Sequence, residues 1–460
     1  MAFLVAVALF AYFWVIGFAV LGLLARQDDL VRNVLIAPAL GIVVLLYCAY
    51  ATSRAGLPIG SDAVPIGLVL LAGAIGALLW RRPLLPGRRG LPYLALLPLA
   101  LAASGWPLFT DGFAWLGHLN PDAAHYMLDT ERLTQRSFLE ISDAAVWRNQ
   151  TDWASTYVLF PLQSVRTGTD LLFAWAVSVT GLDEPTLYMP LILIWHVAAL
   201  AAAAALIRGR DRFARLLSAG LLAVAALSTY GMTIQLLGQE LGLSCFALAA
   251  VLLFTPFYCL AWPALLRHTA LAALAMAGFI LSYPEMLPFC GLSFLLYHAI
   301  GVRDVLRHWQ RAALSAALIG VAALLLIAPD GIGLLSFLFG QAARAGSRMQ
   351  YATLFPYFLS PSGAAALWGL SGLRAGTGLL PVDVAIVIGG FLSAAAVVAS
   401  LWLVWRREAS AAIVLVMALL AAFLLFGQIG FGTFKLAMYL QPFLMPMMVL
   451  ALCRVLRVSR

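Results

Sequence analysis

Charge is what this sequence has least of: Asp, Glu, Lys and Arg make up 10% of its 460 residues, while 63% are hydrophobic. A soluble domain carries about 25% charged and about 45–50% apolar residues, so an ordinary globular protein is excluded. A disordered chain and a nucleic-acid binder are excluded with it, in spite of a formal net charge of +8. Cysteine is sparse. Cys48, Cys245, Cys259, Cys290 and Cys453 sit far apart inside apolar runs, without the spacing of a metal site, and read as small hydrophobes of a helix bundle. No Walker loop, dinucleotide fingerprint, G-x-S-x-G elbow or H-E-x-x-H occurs, which argues against ATP-driven work by this chain alone.

What the sequence does have is apolar runs of a length that crosses about 30 Å of hydrocarbon. They lie near 3–25, 33–51, 65–80, 91–105, 185–207, 216–238, 241–262, 269–283, 287–301, 314–329, 382–404, 411–428 and 436–453. The expectation is an all-α, polytopic transmembrane bundle of about 13 spans. The first run begins at Met1 without a basic segment before it and is expected to be a retained span, not a cleaved signal.

Connectors placed on alternate sides differ sharply in charge. The set 26–32, 81–90, 208–215, 263–268, 302–313, 405–410 and 454–460 holds 19 of the 28 basic residues and 5 of the 20 acidic ones. The positive-inside rule places this set in the cytoplasm and the N-terminus outside. The two long connectors, 106–184 and 330–381, then lie outside, where chemistry carried on loops is expected.

The richest stretch is 118–136, HLNPDAAHYMLDTERLTQR. Asn120-Pro121 is a helix-start signal, with Asp122 in the first turn. Asp122, His125, Tyr126 and Asp129 follow at i, i+3, i+4 and i+7, one face of a helix suited to proton transfer. Glu240 and Glu285 stand at the outer ends of spans, where a carboxylate is costly unless it meets water, a cation or a cavity. Each also precedes an apolar helix that it would cap. Lys435, the only lysine, lies where positive charge is otherwise depleted; with Arg344 and Arg348 it would clamp a phosphate, or serve as an interfacial anchor. His196, His268, His298 and His308 are scattered, with no second ligand at metal spacing.

Five motifs occur in order: P-D-x-x-x-Y over Pro121 to Tyr126, RTGTDLLFAWAVSVTGLDEPTLY, G-Q-E-L-G-L, S-Y-P-E, and F-K-L-x-x-Y-x-x-P-F over Phe434 to Phe443. Over roughly 91–453 this arrangement resembles the GT-C class of polytopic glycosyltransferases, in particular bacterial members that modify cell-envelope polysaccharide or glycolipid. Residues 1–90 would be accessory spans beside that core. The resemblance implies a polyprenyl-phosphate sugar donor, an extracytoplasmic glycan or glycolipid acceptor, and a multi-pass protein of the bacterial inner membrane. It implies Asp122 as the catalytic carboxylate, the base at the acceptor, with His125, Tyr126, Glu240, Glu285, Arg344, Arg348, Lys435 and Tyr439 at the substrates. No D-x-D or E-x-D pair accompanies Asp122, and no cofactor or metal is expected. Three other readings stay open: a lipid-linked glycan polymerase or ligase leaning on Arg344, Arg348 and His118, a lipid or glycan transporter, and a non-catalytic assembly subunit.

Overall fold

The structure, a computed structural model, describes residues 2–25, 29–83, 87–113, 122–140, 166–208, 212–328, 333, 337–340, 361–370, 380–427 and 429–456. All regular structure among these residues is helical. The N-terminal part runs α1 (Ala2–Leu24), α2 (Leu30–Arg54), α3 (Ile59–Arg81), α4 (Leu91–Asp111), α5 (Asp122–Gln135), α6 (Thr167–Thr180) and α7 (Glu184–Ala204). There follow α8 (Arg212–Ala223), α9 (Ala226–Thr233), α10 (Leu237–Leu253), α11 (Trp262–Ser282), α12 (Leu287–Ile300), α13 (Val302–Arg307) and α14 (Trp309–Leu326). The chain closes with α15 (Ser362–Leu367), α16 (Val382–Val404), α17 (Ala409–Phe426) and α18 (Gly430–Leu456).

Among the described residues ten helices are long and apolar enough to cross a membrane, or eleven if α8 and α9, bent by 48°, form one broken span. The chain is therefore a multi-pass membrane protein. The expected runs that do not pass on their own are 91–105, where the apolar part of α4 is short, 216–238, which breaks into α8 and α9, and 287–301, where α12 has only 14 residues.

Local chemistry sets the helix ends. Asp29 caps α2 by accepting from Arg32 N at 3.0 Å, and Asp183 caps α7 by accepting from Thr186 N at 3.3 Å. Gly181, at φ 66, closes α6 in the left-handed conformation that glycine adopts without strain. Packing then sorts the helices. α7 is buried along its whole apolar window and α2, α10 and α18 nearly so, whereas α3, α14 and α16 present mostly exposed Leu, Val and Phe. In a bilayer that exposure is to lipid and costs nothing. Gly17 and Gly41 let α1 and α2 touch backbone to backbone: a Cβ on Gly17 would stand 1.9 Å from Ala37 O, and one on Gly41 1.8 Å from Phe13 O. Small residues drive such close packing where no hydrophobic force acts between helices.

Charged and polar side chains gather into two separate sets. In one, Arg215 holds Asp29, Arg407 holds Asp304 and Tyr258, and Arg454 holds Glu408. All of these but Tyr258 come from the basic connectors, which these pairs tie to one another. The candidate site lies in the other set.

Candidate functional site

The site is assembled where α5, the start of α6, the start of α10, the break between α11 and α12, and the start of α18 meet. The break is encoded locally. Pro284 has no N–H to continue α11 and forces Tyr283 out of the helical region, to φ −155 and ψ 77, before a short 3-10 turn over Pro284–Met286. Freed from the helix, Tyr283 drops onto Gly242 of α10, where a Cβ would meet the Tyr283 Cβ at 2.2 Å. One turn earlier on α10, Gly238 receives Tyr126 from α5; a Cβ there would stand 2.4 Å from the Tyr126 Oη. The two glycines of G-Q-E-L-G are thus the seats of two tyrosines.

Tyr283 is the hub of a polar cluster. Tyr439 Oη donates to Tyr283 Oη at 3.0 Å, and Lys435 Nζ lies 3.5 Å from the same hydroxyl. The Arg166 guanidinium stacks 4.7 Å from the Tyr283 ring centre and forms an ion pair with Glu285. Burial works against the Arg166 charge, but Tyr283, Glu285 and Tyr126 outweigh it and hold the guanidinium firmly protonated. Tyr126 is buried, and burial keeps it a neutral phenol in spite of Arg166; the Asp170 and Asp122 charges act in the same direction as burial.

Below this cluster α5 and α6 bring two carboxylates together. Asp170 is 3% exposed, and burial followed by the charge of Asp129 raises its pKa well above the usual carboxylate range, against the pull of Arg166. Burial likewise lifts Asp129 to about 7, against the pull of Arg132. One oxygen of each carboxylate has no hydrogen-bond partner among the described residues. The charge of one carboxylate thus disfavours ionisation of the other, as it does for close carboxylates.

Of the residues singled out in the sequence, Glu285, Lys435 and Tyr439 meet at Tyr283, and Tyr126 joins them through Arg166. Asp122 opens α5, as the Asn120-Pro121 signal predicts; it is exposed, and its charge acts on Tyr126 and Tyr188. His125 is exposed on the same helix. The polar face of α5 is therefore split, with Asp122 and His125 outside and Tyr126 inside. Glu240 stands apart. It faces α7, where His196 Nδ1 lies 3.1 Å from its Oε2, both residues being 3% exposed. Arg344, Arg348 and His118 lie outside the described residues.

Sequence reasoning missed Arg166, Asp170 and the role of His196. The signal for the first two was present: R-T-G-T-D puts opposite charges at i and i+4 at the head of an otherwise apolar helix. His196 gave none, because its partner lies 44 residues away on another helix. Among the described residues no three His, Cys, Asp or Glu side chains converge as metal ligands. Comparison with protein-family models, with curated proteins and with solved structures finds no match.

Proposed function

We propose that this protein is an inverting glycosyltransferase that moves a sugar from a polyprenyl-phosphate donor to a glycan or glycolipid acceptor. The observation that supports this reading is the meeting of two cations, Arg166 and Lys435, with tyrosines and carboxylates at one end of a membrane bundle. A lipid-phosphate sugar departs as a phosphate whose negative charge grows in the transition state. Cations already held in place in a partly dry site stabilise that charge without reorganising. Arg166, fixed by Glu285 and Tyr283, presents a planar donor fork, and Lys435 a movable point charge. Asp122 takes the proton of the acceptor hydroxyl as its oxygen attacks the anomeric carbon. The bond from that carbon to the phosphate oxygen breaks, and the phosphate keeps the electron pair. Glu285 and Glu240 are less suited to the base role, since they are committed to Arg166 and His196. In this reading the basic connectors face the cytoplasm, as the positive-inside rule favours, and the transfer takes place on the external face of a bacterial inner membrane.

The test is sugar transfer by the purified protein from a synthetic polyprenyl-phosphate sugar. Positioned general-base catalysis contributes about 10²–10⁴-fold, so Asp122→Asn should cut turnover by that factor while donor binding is retained. Lys435→Ala should weaken donor use, and Lys435→Arg should restore part of it. Wild-type turnover by Asp122→Asn, or no transfer by the wild-type protein, refutes the proposal. One observation favours a second reading, proton-coupled transport: the His196–Glu240 pair is buried between two apolar helices, where ionisable groups often serve proton relays. Loss of proton-driven substrate uptake, with transfer chemistry absent, in His196→Gln would select it.

A further inference from the structure

The end of α11 away from Tyr283 carries a surface of a different kind. A short 3-10 turn over Phe257–Cys259 precedes α11 there, and Phe257, Tyr258 and Leu265 form a small apolar cluster. Val305 of α13 and Ala312 of α14 pack on that cluster. Arg311 ties the starts of the two long helices together: its Nη1 donates to Leu260 O at 3.2 Å, and its guanidinium lies 5.5 Å from the Trp262 ring centre. The start of α11, α13 and the start of α14 therefore present one continuous surface.

Charge on this surface is one-sided. Over 257–268 and 301–313 the sequence holds Arg267, Arg303, Arg307 and Arg311 against a single acidic residue, Asp304. Asp304 is already matched by Arg407, which also donates to Tyr258 Oη at 2.9 Å. Gly301 makes room for that arginine, since a Cβ there would stand 2.2 Å from its Nη2. Arg303 and Arg307, one turn apart on α13, are exposed and have no ion-pair partner among the described residues. Beside them Leu306 is 65% exposed and Trp309 61% exposed, with Val302 and Trp262 exposed as well. The mixture differs from α16, a lipid-facing helix without any basic residue. Arginines are costly in hydrocarbon, and exposed leucine and tryptophan are unfavourable in water. Together they suit the headgroup layer, where apolar side chains meet the first carbons of the chains and guanidiniums reach the phosphates.

We propose that this surface binds the headgroups of anionic phospholipids, with Arg303 and Arg307 on the phosphates and Leu306 and Trp309 against the chains. Its place agrees, because α11 and α14, two helices long and apolar enough to cross a membrane, both begin here. Four arginines beyond the Asp304–Arg407 pair form the kind of basic cluster that attracts anionic lipid beside a membrane helix. A zwitterionic lipid offers the same phosphate but brings its own cation, which the cluster repels. The inference is independent of the transfer reaction.

Native mass spectrometry of the detergent-purified full chain tests it, with phosphatidylglycerol and zwitterionic phosphatidylcholine titrated separately. The wild-type protein should bind phosphatidylglycerol more tightly than phosphatidylcholine. Arg303→Gln/Arg307→Gln should weaken phosphatidylglycerol binding at least about tenfold, and Arg303→Lys/Arg307→Lys, which keeps both charges, should retain most of it. Arg81→Gln/Arg88→Gln removes two exposed charges from the connector between α3 and α4 and should leave the tightest binding unchanged. If the double glutamine variant at 303 and 307 melts early in thermal unfolding, the single variants Arg303→Gln and Arg307→Gln decide, each weakening binding about fivefold. Three results overturn the proposal: wild-type phosphatidylglycerol binding by the glutamine variants at 303 and 307, equal binding of the two lipids by the wild-type protein, or equal weakening by Arg81→Gln/Arg88→Gln. The last would mean diffuse attraction to the whole basic chain.

Discussion

The carboxylate pair between α5 and α6 makes the stability of this protein depend on pH in a direction that can be stated in advance. Partial burial lifts Asp129 to about 7 in the folded protein, against the pull of Arg132, from 3.8 when unperturbed. Between those two values the folded state holds a proton that the unfolded state has released. The Asp129 contribution to stability is therefore highest toward pH 4, falls as pH rises to about 7, and is level above it. A rise from 3.8 to about 7 is worth at most about 4 kcal/mol at 1.36 kcal/mol per pH unit. Asp129 is half-buried, so water screens part of this and about 1–3 kcal/mol remains. The groups that face the pair are Arg132 on α5, Arg166 before α6, Tyr126 on α5 and Tyr188 on α7. The perturbation is the double variant Asp129→Asn/Asp170→Asn, which keeps both shapes and abolishes both charges. Thermal unfolding in detergent at pH 5, 6, 7 and 8 should show the wild-type midpoint falling by a few degrees across the range. The difference between wild type and double variant isolates the pair from histidine titration. A double variant that keeps the full wild-type slope, or a wild type that gains stability from pH 5 to 8, would refute the assignment of raised carboxylate pKa values to this pair.

Three further outcomes follow from packing and charge. Arg166→Gln leaves Glu285 partly buried and unmatched, so it should destabilise by about 1–3 kcal/mol, while Arg166→Gln/Glu285→Gln recovers most of that stability and still lacks transfer activity; thermal unfolding and the transfer assay read both. Gly242→Ala forces a methyl into Tyr283 and should cost about 1–3 kcal/mol, whereas Gly73→Ala on α3, with open space around it, should be neutral or stabilising by thermal unfolding. With exposed Cys259 replaced by serine, a membrane-impermeant thiol reagent applied to intact cells should label Leu139→Cys and spare Arg406→Cys; labelling of Arg406→Cys alone would invert the topology.

The membrane class and the helical fold were written in the sequence, because each is a property of local composition. Runs such as 382–404 become α16 over the same residues since nothing but a helix satisfies its backbone in lipid. The start of α5 was legible too, from Asn120-Pro121 and the acidic first turn. Glu285, Lys435 and Tyr439 could be picked out as unusual charges and phenols in an apolar chain, yet not as neighbours. Their meeting depends on Pro284 turning Tyr283 out of α11 and on two glycines of α10 making room for tyrosines. Glu240 was equally conspicuous and went elsewhere, to His196, because it projects from a different side of the same helix. Arg166 and Asp170 read as ordinary ends of an apolar segment until α6 packed against α5. Burial decided their electrostatics, and burial is a property of the assembled bundle: the charge of Asp129 matters to Asp170 only once two helices have removed the water between them.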